Sequence, residues 1–135
     1  MGSKYGLSAW HKIKHWLNTM RPDQTLYFNE REVWFCYLGA NVGYEQNGRG
    51  REFLRPVIIV KKYNKNLFLG IPLTSKVKST PYYFPLGVIR GSTSAAILIQ
   101  TRSLSSRRLI NKIAKIDVCT FNKMKTAAMT CVFGD

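Results

Sequence analysis

Acidic residues are scarce in this chain. Seven Asp and Glu stand against 21 Lys and Arg over 135 residues, a formal charge of +14. Histidine is scarcer still. His11 and His15 lie four apart, with no third ligand and no HExxH context, which argues against a zinc-hydrolase centre and a histidine-based nuclease. The three cysteines, Cys36, Cys119 and Cys131, are odd in number and form no CxxC or Cys/His spacing. That pattern excludes a disulfide framework and a zinc site and fits a reducing compartment. No paired carboxylates, GxSxG or Cys/His dyad occur, so the expected cofactor and metal complement is none. No apolar run reaches the length of a membrane span. Leu7 to Leu17 is broken by Lys12, Lys14 and both histidines, which rules out a secretory core there. The expected location is the cytoplasm, with no membrane partner.

What remains is an ordinary globular composition with an extreme charge. Hydrophobic residues make up 45% and charged residues 21%, enough for one domain with a real core. A pI near 10.1 exceeds what solubility requires and favours a polyanionic partner.

Residues 7–20 place Leu7, Trp10, Ile13, Trp16 or Leu17, and Met20 at helical spacing, and Arg21-Pro22-Asp23 ends that helix. Residues 1–28 read as a helical extension packed on a main domain of residues 29–135. The centre reads as strands: Glu32 to Leu38, Leu54 to Val60, Leu67 to Leu73, Tyr82 to Arg90 and Ser94 to Arg102. The last two should form a hairpin around Gly91-Ser92. A helical turn within Ser105 to Ile110 and a strand from Asn111 to Ile116 follow. The chain closes on a helix capped by Asp117 or Thr120, with Val118, Phe121, Met124, Ala128 and Val132 on its inner face and Gly134 as its stop. The class is α+β, mainly β: a small antiparallel barrel with a C-terminal helix.

Candidate chemistry gathers at strand ends. The loop Gly39 to Arg51 carries four glycines, Glu45, Gln46, Asn47, Arg49 and Arg51. Its amides and guanidinium forks suit phosphate, but it is neither a Walker loop nor GxGxxG, and on this segment alone an ordinary hairpin loop is the favoured reading. Arg55 is a cation at the head of a buried-looking strand, where Arg is rare without a partner; an ion pair with Glu45 would serve. Thr74-Ser75-Lys76 places two hydroxyls and an ammonium at a strand end, as a phosphate contact requires. Gln100 and Arg102 end another strand, and Arg107-Arg108 follow either as RNA contacts or as a solvated basic edge.

Taken in order, Glu32-Val-Trp34, Leu38 to Gln46, Arg55 to Val60, Pro72 to Ser75, Ile99 to Arg102 and Arg108 to Ile113 resemble the MazF/PemK toxin family, over roughly residues 31–132. The resemblance implies an SH3-like barrel, a homodimer, and metal-independent cleavage of single-stranded mRNA through the 2′-hydroxyl, leaving a 2′,3′-cyclic phosphate and a 5′-hydroxyl. It implies catalytic roles for Arg55, Thr74 and Glu45, the last as base or as orienter of Arg55. Gln46 and Gln100 correspond to glutamines near the RNA groove, which Asn47, Arg49, Arg51, Ser75, Lys76 and Arg102 would line. The loop before Arg55 is longer than in short family members, which brings Arg49 and Arg51 into range of the same role. An acidic antitoxin is the implied protein partner. The rival readings are a non-catalytic nucleic-acid-binding barrel and a same-fold toxin acting on a protein such as gyrase. The pairing of Arg55 with Thr74 favours the nuclease over both.

Overall fold

The run Val57-Ile-Ile-Val60 has no polar alternation because both of its faces are buried. It forms the middle of a strand that organises the domain. The computed structural model describes residues 27–39 and 54–134; the helix expected over residues 7–20 and the glycine-rich loop lie outside them. The described elements are β1 (Glu32–Tyr37), β2 (Leu54–Asn64), β3 (Leu67–Thr74), β4 (Tyr83–Ile89), β5 (Ser92–Ile97), β6 (Arg102–Ser105), β7 (Leu109–Lys115) and α1 (Val118–Phe133). Short 3-10 turns at Leu98–Gln100 and Ser106–Arg108 flank β6.

The strands form one curled antiparallel sheet, ordered β4-β5-β3-β2-β1-β7, with β6 on the free half of β3. This is the expected mainly-β, SH3-like half-barrel with a C-terminal helix. Its two faces hold separate cores. Odd and even positions of β2 divide between them, as strand alternation requires. Ile58 and Val60 join Val33, Ile71, Leu73 and Leu98 beneath Phe121 and Met124 of α1. Val57 and Ile59 join Phe28, Trp34, Cys36, Phe68, Leu104 and Leu109 on the other face.

Local chemistry explains the turns and corrects some boundaries. Ile89 pairs with Ser92, so the hairpin turn is Arg90-Gly91, one residue before the expected Gly91-Ser92. Both turn residues have positive φ, 50° and 83°, as a two-residue turn matched to strand twist demands. The strand expected over Ser94 to Arg102 stops at Ile97. There the Leu98 carbonyl accepts from both the Thr101 amide at 3.3 Å and the Thr101 hydroxyl at 2.7 Å. This closes a 3-10 turn, and Ile99 is left exposed.

Asp117 is the cap of α1, its carboxylate accepting from the Thr120 amide at 2.9 Å. That bond and the neighbouring amides hold its carboxyl below the usual range. The inner face of α1 is narrower than expected. Phe121 and Met124 are buried, with Ala127, Ala128 and Cys131 packed around them, whereas Val118 and Val132 are exposed with Met129 and Phe133. The far end of β1 is tied down by Glu32. Its Oε1 accepts from Trp34 Nε1 at 3.0 Å and from the Asn29 amide at 2.9 Å, and Oε2 meets Lys112 Nζ at 3.3 Å. Burial opposes ionisation there, but these contacts outweigh it and hold the carboxyl below its ordinary value.

Candidate functional site

The position of Arg55 follows from strand register. Val57 lies opposite Pro72, Ile58 opposite Ile71 and Ile59 opposite Gly70. Continued for two residues, this antiparallel register sets Arg55 across from Thr74. Val57, Ile59 and Phe68 all lie in the core away from α1, and Arg55 and Thr74 share their parity and hence that face. The row extends sideways: Leu109 pairs with Cys36, Cys36 with Arg55, and Thr74 with Ala95.

Arg55 is half-buried, and Nη2 donates to the Leu73 carbonyl at 2.9 Å. The bond crosses from β2 to β3 and fixes the guanidinium beside Thr74. Thr74 is 6% exposed. Its Oγ1 accepts from the Lys76 amide at 3.0 Å, which turns the chain at the strand end and leaves the hydroxyl proton for another acceptor. Ser75 and Lys76 are exposed.

Two further arginines converge on this face. Arg102 pairs with Gly70 while Leu104 pairs with Phe68; since Leu104 and Phe68 lie in the same core, Arg102 takes the Arg55 side. Arg108 is half-buried, and Nη1 donates to the Tyr37 carbonyl at 3.0 Å. Tyr37 pairs with Leu54, the neighbour of Arg55. Burial lowers the Arg108 pKa from its ordinary value, and the charge of Arg102 pushes the same way. An anion would relieve that repulsion. Cys36 is fully buried and its thiol pKa is pushed well up by desolvation, against the pull of Arg108; it is a packing residue, not a nucleophile.

The acids among the described residues are Glu30, Glu32 and Asp117. Glu30 accepts from the Lys62 amide at 3.1 Å, and the other two serve the contacts already given. No three His, Cys, Asp or Glu among the described residues come together as a metal-binding group. No helix among them is long and apolar enough to cross a membrane.

The expected site residues therefore fall into three sets. Arg55, Thr74, Ser75 and Lys76 are brought together at the meeting of β2 and β3, and Arg102 joins their face. Gln100 is half-buried at the end of a 3-10 turn rather than of a strand. Glu45, Gln46, Asn47, Arg49 and Arg51 lie outside the described residues, as does the expected Arg55–Glu45 pair. Of the two late arginines, Arg107 is exposed as a basic edge would be, but Arg108 is not. Sequence reading gave Arg108 too little weight, because its neighbours Cys36 and Tyr37 are distant along the chain.

A family model described as PemK-like, MazF-like toxin of type II toxin–antitoxin systems matches residues 29–131. No curated protein matches the chain. Among solved structures, MazF from Deinococcus radiodurans is 20% identical with a TM-score of 0.67, covering 79% of this chain and 97% of that one. An endoribonuclease bound to its cognate antitoxin, from a mycobacterial species, is 18% identical with a TM-score of 0.59, covering 78% and 95%. The Mycobacterium tuberculosis toxin MazF-mt6 is 14% identical with a TM-score of 0.61, covering 78% and 99%. These structural matches share the fold, and the family model spans most of the sequence. The chain belongs to the PemK-like, MazF-like family of toxins of type II toxin–antitoxin systems.

Proposed function

We propose that this toxin is an endoribonuclease that cuts single-stranded mRNA in the cytoplasm as a homodimer. The observation that carries the reading is the placement of Arg55 and Thr74 on one sheet face, with the guanidinium bound to the carbonyl next to Thr74. RNA brings its own nucleophile, the 2′-hydroxyl. The protein has to align it, hold the charge of the pentavalent phosphorus and help the 5′-oxygen depart.

Arg55 donates to Leu73 through Nη2, a bond that orients its planar fork and its charge toward a non-bridging oxygen. Such preorganised charge is usually the largest catalytic term. The Thr74 hydroxyl donates to the phosphate or the 2′-oxygen, since its acceptor side is taken by Lys76. Arg102 and Arg108 add positive potential on the same face. With a pKa above about 12, Arg55 is a poor proton carrier, so Glu45 takes the 2′-hydroxyl proton or orients Arg55. Gln46, Asn47, Arg49, Arg51, Ser75, Lys76, Gln100 and Arg102 would hold the strand. The products are a 2′,3′-cyclic phosphate and a 5′-hydroxyl.

Residues 1–28 act as an extension to the catalytic domain of residues 29–135. Its inhibitor is an antitoxin with an acidic, partly apolar tail that folds into the RNA path. Between Asn47 and Thr80, eight basic residues face only Glu52, so association should slow steeply with salt.

Incubating the toxin with single-stranded RNA in EDTA tests the reaction. Cleavage should persist, stop when the 2′-hydroxyl at the cut is removed, and leave a cyclic phosphate. Loss of activity to EDTA, or cleavage of all-DNA strands, refutes the reading.

A further inference from the structure

The segment between β3 and β4, residues 75–82, carries two features that the reaction above leaves unused. All of its side chains are exposed. Lys78 places its ammonium 5.9 Å from the centre of the Tyr83 ring. Tyr82, the residue before, is 50% exposed, although its backbone is pinned: its amide donates to Thr80 Oγ1 at 3.2 Å and its carbonyl accepts from Leu98 at 2.8 Å. Because Leu98 lies in the α1-side core, this bond sets the exposed Tyr82 ring on that side of the sheet and its neighbour Tyr83 on the other.

Register places these rings relative to the phosphate site. Thr74 pairs with Ala95, Ala95 with Pro85, and Tyr83 with Ile97. By parity Tyr83 faces the Arg55–Thr74 side, two strands across and two residues along from Thr74. At about 4.8 Å per strand and 3.3 Å per residue, the separation is about 12 Å. A nucleic-acid strand covers that in on the order of two nucleotides. In the row between, Ala95 is buried and Pro85 is exposed. Lysines for the backbone and aromatic faces for unstacked bases are the combination that single strands require.

We infer that Tyr83, with Lys78, forms a base-stacking platform that holds a nucleotide a short distance from the cleaved phosphate and contributes to the choice of cut site. This rests on the ribonuclease reading for the phosphate at Arg55 and Thr74. The ring of Tyr83 supplies the stacking surface and the ammonium of Lys78 beside it meets the nucleic-acid backbone.

The test has two arms. Binding is measured on a fully 2′-O-methylated random-sequence RNA pool, which cannot be cut. Cut-site preference is read by sequencing the ends released from the unmodified pool. Tyr83→Leu should weaken binding about tenfold and flatten the base preference at one position near the cut, whereas Tyr83→Phe should keep both and Tyr82→Leu, on the other face, should leave both unchanged. Lys78→Ala should lower the slope of log affinity against log salt by about 0.7. Lys78 is exposed, so its variant serves if Tyr83→Leu does not fold. Tyrosine-dependent binding without any cleavage upholds the platform and removes the ribonuclease reading. A folded Tyr83→Leu variant that binds and cuts with the wild-type profile overturns the platform and leaves that reading standing. A wild-type chain that binds no RNA overturns both.

Discussion

Replacing Arg55 separates catalysis from folding, because its bond to the Leu73 carbonyl contributes less to stability than its charge contributes to the rate. Arg55→Ala removes the donor to the Leu73 carbonyl at 2.9 Å. A bond from a charged donor contributes about 1.5–3 kcal/mol; at a half-buried position the lower end applies, and the domain should remain folded. The rate effect is larger. Loss of one preorganised donor to a developing oxyanion costs about 10²–10³ in rate, or roughly 2.7–4 kcal/mol.

Arg55→Lys refines the test. Lysine keeps the charge but places its donors on one atom, so it cannot hold Leu73 and a phosphate oxygen in one planar fork. Its rate should fall between wild type and alanine while its salt dependence stays near wild type. Single-turnover cleavage at saturating enzyme measures the chemical step. Binding of 2′-O-methyl RNA measures the ground state, and urea unfolding measures stability. The reasoning fails if folded Arg55→Ala cleaves within about threefold of wild type, or if its whole deficit lies in affinity. If Arg51→Ala is inactive while Arg55→Ala is normal, the role belongs to the glycine-rich loop.

Three other outcomes follow from the packing. Glu32→Gln keeps an oxygen for Trp34 and Asn29 and loses only the attraction to half-exposed Lys112, about 0.5 kcal/mol after screening; Glu32→Ala strands two donors and should cost roughly 2–4 kcal/mol in urea unfolding. The folded-state pKa of Glu32 lies below the ordinary 4.5, so the stability it adds is present above that value and fades as pH falls through the lower folded one. An equal wild-type advantage over Glu32→Gln at pH 7 and pH 2 refutes this. Gly70→Ala sets a Cβ 2.6 Å from Val57 Cγ1 and 3.0 Å from the Phe68 ring, an overpacking worth about 1–3 kcal/mol. Val57→Ala should partly rescue it, and strictly additive costs count against the contact. Light scattering should give a particle twice the 15.5 kDa chain mass, reduced to one chain by Met129→Glu with Phe133→Glu, since both side chains are exposed on α1; a wild-type monomer at micromolar concentration refutes pairing.

The sequence by itself determined the element types. Val57 to Val60 reads as a strand because β-branched residues fit an extended backbone in any tertiary setting. The turn at Asn64 to Asn66 is equally local: Asn64 Oδ1 accepts from the Asn66 amide at 2.8 Å. Asp117 caps its helix through a neighbour three residues on. Charge is additive along the chain, so the preference for an anionic partner needed no fold, and Arg55 and Thr74 stood out as a cation and a hydroxyl at strand ends.

Tertiary structure decided everything that depends on which strand lies beside which. That Arg55 faces Thr74 is a consequence of β2–β3 register, in which a slip of one residue would turn the whole strand over. The inner face of α1 was set by where the curled sheet ends, which leaves Val118 and Val132 exposed despite their helical spacing. Arg108 joined the Arg55 face only because the 3-10 turn after β6 carries it to the Tyr37 carbonyl, far away along the chain. Periodicity records which side of its own element a residue occupies; what that side meets is fixed by long-range pairing, which leaves no local trace in the chain.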